Sequence, residues 1–177
     1  MLSKSNFLIN FITVGFWTFI SRIFGFIRDI MLAAFLGSGP IGEAFIIAFS
    51  LPNIFRRFFA EGAFNAAFIP MFKKSMGNKK QSIKFTNNTL SVMILVLLVF
   101  TTISIIIMPI LVLAMASGFG NDNRFETSVF FGRITFPYIF FVSVSSLFAG
   151  ILNSFGKFGI VSAAPIFLNI GLILAMI

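Results

Sequence analysis

Three stretches of the sequence contain no charged residue, and each is long enough to cross a lipid bilayer. They run from Phe85 to Asn121 (37 residues), from Ile134 to Gly156 (23 residues) and from Phe158 to Ile177 (20 residues). An α-helix rises about 1.5 Å per residue, so about 20 apolar residues span the hydrocarbon core. Over the whole chain 58% of residues are hydrophobic and 10% are charged, and the mean hydropathy is +1.04. The sequence therefore predicts an all-α, polytopic membrane protein.

The composition argues against several other classes of protein. The formal net charge is +8, but the basic residues are scattered among apolar stretches and form no soluble basic face for nucleic acid. The sequence has no Cys and no His, which removes disulfides, thiolate chemistry and the usual transition-metal ligands. The apolar stretch from Phe7 runs into Arg22 and Arg28 without a small-residue cleavage site, so we expect no cleaved signal peptide. No cofactor and no metal is expected.

We predict five membrane helices, with the first two joined by a glycine-rich turn at residues 37–40. Glycine supplies positive φ there and Pro40 cannot continue the preceding helix. Pro52, Pro109 and Pro137 lie within apolar segments, where each removes one backbone hydrogen bond and permits a kink. The predicted helices cover about residues 6–36, 43–72, 87–115, 130–152 and 159–177.

Lysines cluster in the short polar stretch after the second predicted helix. Because Lys and Arg favour cytoplasmic loops, this cluster predicts a cytoplasmic N-terminus and an outward-facing glycine turn. Lys4 and Lys157 agree with that orientation. The simplest interpretation is an orientation signal that also attracts anionic lipid. The clustered residues are Lys73, Lys74, Lys79, Lys80 and Lys84.

The first two predicted helices carry charges inside the membrane, whereas the last three carry almost none. A charged group at the bilayer centre costs about 2.5 to 3.5 kcal/mol on insertion scales, so such groups should face protein, water or one another. Two small-residue pairs, Ser21 with Gly25 and Ser146 with Gly150, have the spacing that lets helices approach closely. The charged residues are Arg22, Arg28, Asp29, Glu43, Arg56, Arg57 and Glu61.

Four arginines face three acids in these two helices, so positive charge is left over for a ligand. Arginine suits phosphate because its planar guanidinium donates paired hydrogen bonds and stays charged in a low dielectric. We therefore predict that Arg22, Arg28 and Arg56 bind an anionic group. For Asp29, Arg57 and Glu61, which have opposite charges within reach, we favour internal ion pairs that fix helix packing. Glu43 either holds an arginine while the ligand is absent or titrates.

Several segments resemble the MurJ (MviN) lipid II flippases. The resemblance covers essentially all 177 residues and is far more specific than one short motif. The matching segments are SRIFGFIRD at 21–29, EAF at 43–45, LPNIFRRFFAEGAF at 51–64, AFIP at 67–70, TFPY at 135–138 and GILN at 150–153.

The resemblance implies that residues 1–177 form the N-terminal part of a MOP-exporter-type lobe in the bacterial inner membrane. In that family the cavity arginines are thought to hold the pyrophosphate and sugar headgroup of lipid II, and the matching positions are Arg22, Arg28 and Arg56. Glu43 stands where the family typically carries Asp, and Glu61 matches a family Glu. A second lobe is absent, and no polar flank follows the last helix, so we expect a piece of a longer protein.

The expected activity is transport by alternating access, in which no bond is made or broken, so the chain is not expected to be an enzyme. The membrane potential or an ion is the expected driving force. Export of another lipid-linked oligosaccharide or of a drug is an alternative, as is a truncated fragment that does not transport. An enzyme acting on polyprenyl phosphates would need clustered acids to hold Mg²⁺, whereas Asp29, Glu43 and Glu61 are separated and outnumbered by arginine.

Overall fold

The computed structural model describes residues 4–59, 63–119 and 122–177, with side chains described at 8–57, 64–119 and 122–177. Within these ranges the chain forms α-helices, one short 3₁₀ turn at Ser117–Phe119 and no strand. The predicted all-α class is confirmed. The helices are α1 (Lys4–Leu36), α2 (Pro40–Phe59), α3 (Ala63–Ser75), α4 (Lys79–Ile106), α5 (Met108–Met115), α6 (Asn123–Thr135), α7 (Tyr138–Ser154) and α8 (Phe158–Leu174).

The first and last predicted helices correspond to α1 and α8, whereas the third corresponds to α4 and α5 and the fourth to α6 and α7. The second covers α2, α3 and residues 60–62, which lie outside the described ranges. The helices begin earlier than the approximate starts predicted for the membrane spans at residues 87 and 130: α4 begins at Lys79 and α6 at Asn123. Both starts have side-chain caps. Asn78 accepts hydrogen bonds from the backbone N–H groups of Lys80 and Gln81, and Asp122 accepts one from that of Arg124. Such caps satisfy backbone donors that the first helical turn leaves unpaired.

The prolines act differently from one another. The helix is interrupted just before Pro109, between α4 and α5, and at Phe136 and Pro137, between α6 and α7. Pro52 lies inside α2 and Pro165 inside α8. Across the described residues, Lys79–Ile106 and Asn123–Ser154 are long and apolar enough to cross a bilayer. These stretches are consistent with a helical membrane protein, and the count of five crossing helices stays a prediction.

Two glycines end helices in the left-handed region of backbone space. Gly37 has φ 67° and donates its N–H to the Ala33 carbonyl at 3.0 Å, as the predicted turn requires. Gly156 has φ 75°. After it, Lys157 donates to the Leu152 carbonyl at 3.0 Å, which is the bond that defines a Schellman cap. After the turn at Gly37, Pro40 begins α2, where its fixed φ suits a first helical turn.

The chain divides into two compact units. The first unit comprises Met1–Gly37 and Leu152–Ile177, and in it α1 packs against α8. A Cβ placed on Gly159 would lie 2.9 Å from Thr13 Cγ2 and 3.9 Å from the Trp17 ring. The absence of a side chain at Gly159 therefore permits the close approach of the two helices.

The second unit, Ser38–Ile151, contains two apolar cores. Phe136 is fully buried in the first, and its ring contacts those of Phe55 and Phe100 with centroids 5.9 and 5.8 Å apart. In the second, the Phe68 ring stacks on those of Phe72 and Phe85. The buried residues are Leu51, Met108, Val112, Val129, Phe136 and Ile139 in the first core, and Phe68, Phe72, Met93, Leu97 and Leu147 in the second.

Large apolar side chains also cover the outward faces of the helices. On α1, Phe11, Phe19 and Phe26 are 69%, 65% and 67% exposed. Along α4, Val92 and Leu95 are 62% and 64% exposed. Soluble proteins rarely leave so much contiguous apolar surface in water, whereas lipid tails solvate it without cost. This surface agrees with the membrane environment that the sequence predicts.

Candidate functional site

Arg28 is the centre of a polar cluster in the first unit. Its Nε and Nη2 atoms donate to Asp29 Oδ1 at 3.0 and 2.7 Å, and its Nη1 donates to Asn169 Oδ1 on α8 at 2.8 Å. The Arg28 side chain is 26% exposed and that of Asp29 is 63% exposed. Asp29 therefore pairs with its neighbour on the same helix, Arg28, which is one of the arginines predicted to bind ligand. An ion pair of Asp29 that fixes the packing of two helices stays a prediction.

The Asn169 side chain is buried, and its neighbours determine which way its amide points. Its Nδ2 donates to the Ser21 carbonyl of α1 at 3.1 Å, and only the amide nitrogen can donate to a carbonyl. The amide oxygen must then face Arg28. A Cβ on Gly25 would lie 3.6 Å from Asn169 Nδ2. Gly25 thus leaves room for an α8 side chain to reach the backbone of α1.

Arg22 also lies on α1, and its side chain is exposed. It lies six residues before Arg28, about 240° around the helix at 100° per residue. No hydrogen bond or ion pair joins it to another residue of the described ranges. Arg22 therefore differs from Arg28, which is held by two neighbours.

Arg56 and Arg57 lie together in the last turn of α2. They line a cleft of 440 Å³ with Ser50, Asn53 and Ile54. Asn53 Nδ2 donates to the Phe49 carbonyl at 3.0 Å, which leaves its amide oxygen as an acceptor. Two guanidinium groups beside hydroxyl and amide groups give this cleft the chemistry to bind an anion that also carries hydroxyls.

Glu43, at the start of α2, forms an ion pair with Arg124, at the start of α6. Arg124 also pairs with Asp122 and lies over the Phe119 ring, with its Cζ 4.5 Å from the ring centroid. The hydrogen bonds from the Arg124 side chain and backbone lower the pKa of Asp122 below its ordinary value of 3.8. Glu43 therefore holds Arg124, which is not one of the three arginines predicted to bind a ligand, and the predicted role of Glu43 stays a prediction.

The predicted site residues fall into separate groups. Arg22, Arg28 and Asp29 belong to the first unit, and Glu43, Arg56 and Arg57 belong to the second. Glu61, predicted to pair with Arg57, lies outside the described residues. A single cavity shared by Arg22, Arg28 and Arg56 stays a prediction.

Both predicted small-residue pairs lie at helix contacts. Ser21 and Gly25 meet Asn169. Ser146 Oγ accepts a hydrogen bond from Asn65 Nδ2 at 3.1 Å, and a Cβ on Gly150 would lie 2.8 Å from Asn65 Oδ1. Both small-residue pairs therefore lie against side chains of a neighbouring helix, and close approach of the helix backbones at these positions stays a prediction.

Sequence reasoning missed Asn169 and Arg124. Asn169 interrupts an otherwise apolar helix, and a polar side chain at membrane depth normally faces protein, so its position was a usable signal. Arg124 had no comparable signal. It lies in the first turn of α6 with acids nearby, and its pairing with Glu43 depends on the packing of α2 against α6.

The helices, their exposed apolar surface and the arginines within them define a helical membrane protein with cationic groups suited to an anionic ligand. The family model described as "Lipid II flippase MurJ" matches residues 32–177. The chain therefore belongs to the MurJ family, whose members are inner-membrane transporters rather than enzymes.

Curated relatives agree over most of the chain. A probable lipid II flippase MurJ from Rickettsia prowazekii is 43% identical over 92% of this chain and 32% of its own length. A probable lipid II flippase MurJ from Rhizobium tropici is 44% identical over 94% of this chain and 32% of its own length. The lipid II flippase MurJ of Burkholderia cenocepacia is 35% identical over 94% of this chain and 33% of its own length.

The chain thus spans about a third of the length of the curated relatives it matches. No solved structure matches it.

Proposed function

We propose that this chain supplies the cation-bearing first part of a lipid II flippase. Membership of the MurJ family carries the proposal, because the relatives that cover most of this chain bear that name. The transported substrate is lipid II, and its pyrophosphate is the group that the arginines recognise. The reaction is movement of the headgroup from the cytoplasmic to the periplasmic side of the inner membrane.

The Arg28 cluster, defined as Arg28, Asp29, Asn169 and the Ser21 carbonyl, supports this proposal. A guanidinium has five N–H donors, and three hydrogen bonds hold Arg28 to Asp29 and Asn169. Two donors remain, one on each Nη atom. Two N–H groups at the end of a planar guanidinium suit two oxygens of a phosphate.

The cleft at the end of α2 supports a second contact with the same substrate. Arg56 and Arg57 supply positive charge there, and Ser50 and Asn53 supply groups that can pair with sugar hydroxyls. Arg22 adds an exposed cation on α1. Arg22, Arg28 and Arg56 are the residues we propose to bind the headgroup, with Asp29, Glu43, Arg57 and Glu61 as supporting charges.

The proposed transport cycle depends on the orientation of the chain in the membrane, on a second lobe and on a driving force. We place the N-terminus in the cytoplasm on the basis of the lysines at the end of α3 and in the first turns of α4. Residues 1–177 form the N-terminal part of a MOP-exporter-type lobe, and rocking against a second lobe exposes the headgroup to alternate sides. The membrane potential, at about 2.3 kcal/mol per charge per 100 mV, is one candidate driving force and an ion is the other.

The proposal can be tested by replacing the matching third of the Rickettsia prowazekii relative with this chain. The chimera is expressed in cells depleted of their own lipid II flippase, and a membrane-impermeant label measures the headgroup exposed on the outer face. The chimera is expected to restore exposure. Arg28→Ala and Arg56→Ala should each lower it by about tenfold or more, because a charge-assisted contact with phosphate is lost.

Lys80→Ala serves as the matched control, because it removes an exposed cation outside the proposed site and should leave exposure at the level of the chimera. Undiminished exposure after replacement of Arg22, Arg28 and Arg56 together would refute the headgroup role. Expression of this chain alone tests the alternative of a non-transporting fragment. Competition by another lipid-linked oligosaccharide or by a cationic drug tests the alternative substrates.

A further inference from the structure

Asn169 has a buried side chain that the proposed transport cycle has not yet used. It is 5% exposed and lies in α8, whose sequence is otherwise almost entirely apolar. Burying an amide costs free energy unless it is hydrogen-bonded. The presence of an amide at this buried position therefore calls for an explanation, which its two hydrogen bonds to α1 supply. Its oxygen accepts from Arg28 Nη1 and its nitrogen donates to the Ser21 carbonyl.

The two hydrogen bonds of Asn169 act together. The Ser21 carbonyl has two lone pairs, and one is used inside α1, so the second is available to Asn169. This bond orients the amide so that its oxygen faces Arg28, about two turns further along α1. Asp29 fixes the Nε edge of the same guanidinium. The Arg28 guanidinium is therefore held by the carboxylate of Asp29 at Nε and Nη2 and by the neutral amide of Asn169 at Nη1.

The difference between the two partners matters for anion binding. Asp29 neutralises charge, whereas Asn169 fixes the guanidinium without adding a second negative charge. We infer that Asn169 is a positioning residue that holds Arg28 so that one N–H on each Nη atom faces a phosphate or pyrophosphate group. This inference rests on the proposed function, because it assigns the geometry of one contact to the same anionic ligand.

The test uses the purified 177-residue chain in lipid nanodiscs, with ¹⁵N-labelled arginine and inorganic pyrophosphate as the probe. The Arg28 Nε resonance, assigned by its loss in Arg28→Ala, reports both the hydrogen exchange of that N–H and the dissociation constant. Asn169→Leu removes the amide at similar volume and should weaken pyrophosphate binding about tenfold, since a hydrogen bond to a charged group is lost. Asn10→Leu removes an amide of α1 outside the cluster and should bind like the parent chain.

Asn169→Asp separates positioning from packing. It keeps an acceptor for Arg28 but adds a second carboxylate, so pyrophosphate binding should fall further than in Asn169→Leu. The melting temperature, followed by fluorescence of the single Trp17 beside the α1–α8 contact, should nevertheless not fall below that of Asn169→Leu. A merely structural role would make binding follow melting temperature through both variants.

The outcomes distinguish the headgroup role of Arg28 from the positioning role of Asn169. Loss of binding in Arg28→Ala together with the order parent, Asn169→Leu, Asn169→Asp supports both. Loss in Arg28→Ala with parent-like binding in Asn169→Leu overturns the positioning role and leaves the proposed function standing. Binding that follows melting temperature through both Asn169 variants also overturns the positioning role. Parent-like binding in Arg28→Ala overturns the headgroup role of Arg28, and with it the inference.

Discussion

The two units of this chain are stabilised by different kinds of contact. In the first, where side chains are described, Ile166 and Asn169 are the buried hydrophobic and polar residues of α8, and the contact with α1 includes hydrogen bonds to Arg28 and Ser21. In the second, aromatic rings fill two apolar cores. In lipid, no hydrophobic driving force brings helices together, so packing and polar contacts must do so. A polar contact can therefore align two helices while remaining available to a ligand, whereas a filled core resists change.

The largest effect is expected in the cores of the second unit. Phe136→Ala removes a fully buried ring that contacts Phe55 and Phe100, and it should lower the free energy of unfolding by about 3 kcal/mol or more, because the cavity cannot fully collapse. Far-UV circular dichroism during denaturation in detergent micelles measures this change. An unchanged free energy of unfolding would contradict the burial of this ring.

A second comparison uses the two small-residue contacts, one in each unit. Gly150→Ala places a Cβ 2.8 Å from Asn65 Oδ1 and 3.2 Å from Phe68 Cδ1, so the neighbours must move at a cost of about 1 to 3 kcal/mol. Gly25→Ala places a Cβ at an ordinary 3.6 Å from Asn169 Nδ2. Thermal melting should therefore show a clear loss for Gly150→Ala and little change for Gly25→Ala. Equal losses would mean that the α3–α7 contact adapts as readily as the α1–α8 contact.

A smaller effect is expected at the exposed ion pair of the second unit. Glu43→Gln removes one partner of Arg124, whose side chain is 30% exposed and which keeps Asp122. The loss of stability should be small and should shrink as salt screens the pair. Melting at low and high ionic strength measures it. A large, salt-independent loss would assign this pair the strength of a buried one.

The smallest effect is the pH dependence at Asp122. Its pKa is lowered by hydrogen bonds from Arg124, so its contribution to stability is present above its ordinary pKa and is lost as the pH falls through the lowered value. Carboxyl NMR titration of Asp122 should show the lowered pKa, and Arg124→Gln should return it towards 3.8. An unchanged pKa in Arg124→Gln would show that Arg124 is not the cause.

The all-α class, the end of α1 and, to within one residue, the start of α8 could be predicted, because long apolar stretches bounded by turn residues permit few alternatives. The interruptions at Pro109 and Pro137 could not. Proline inside a membrane helix is tolerated when neighbours satisfy the freed carbonyl, as Pro52 within α2 illustrates. Whether a proline bends a helix or ends it depends on tertiary packing.

In the candidate site too, the residue types could be predicted from the sequence, whereas their contacts depend on tertiary packing. Arginines within apolar helices can be recognised in the sequence, and they predict an anionic ligand without knowledge of any contact. The pairing of Arg28 with Asp29 was not evident, because adjacent residues on a helix do not face each other, and the long Arg28 side chain must bend back to reach its neighbour. The contact with Asn169 joins residues 141 positions apart, so only the packing of α1 on α8 could place them together.

The close approach at Gly150 also has a genetic consequence. Every amino acid that a point mutation can place there carries at least one more carbon atom, and that atom would meet Asn65 and Phe68 within 3.2 Å. Gly25, in the other unit, tolerates such an addition at 3.6 Å. Among the descendants of this gene, codon 25 should therefore accumulate alanine and serine far more often than codon 150.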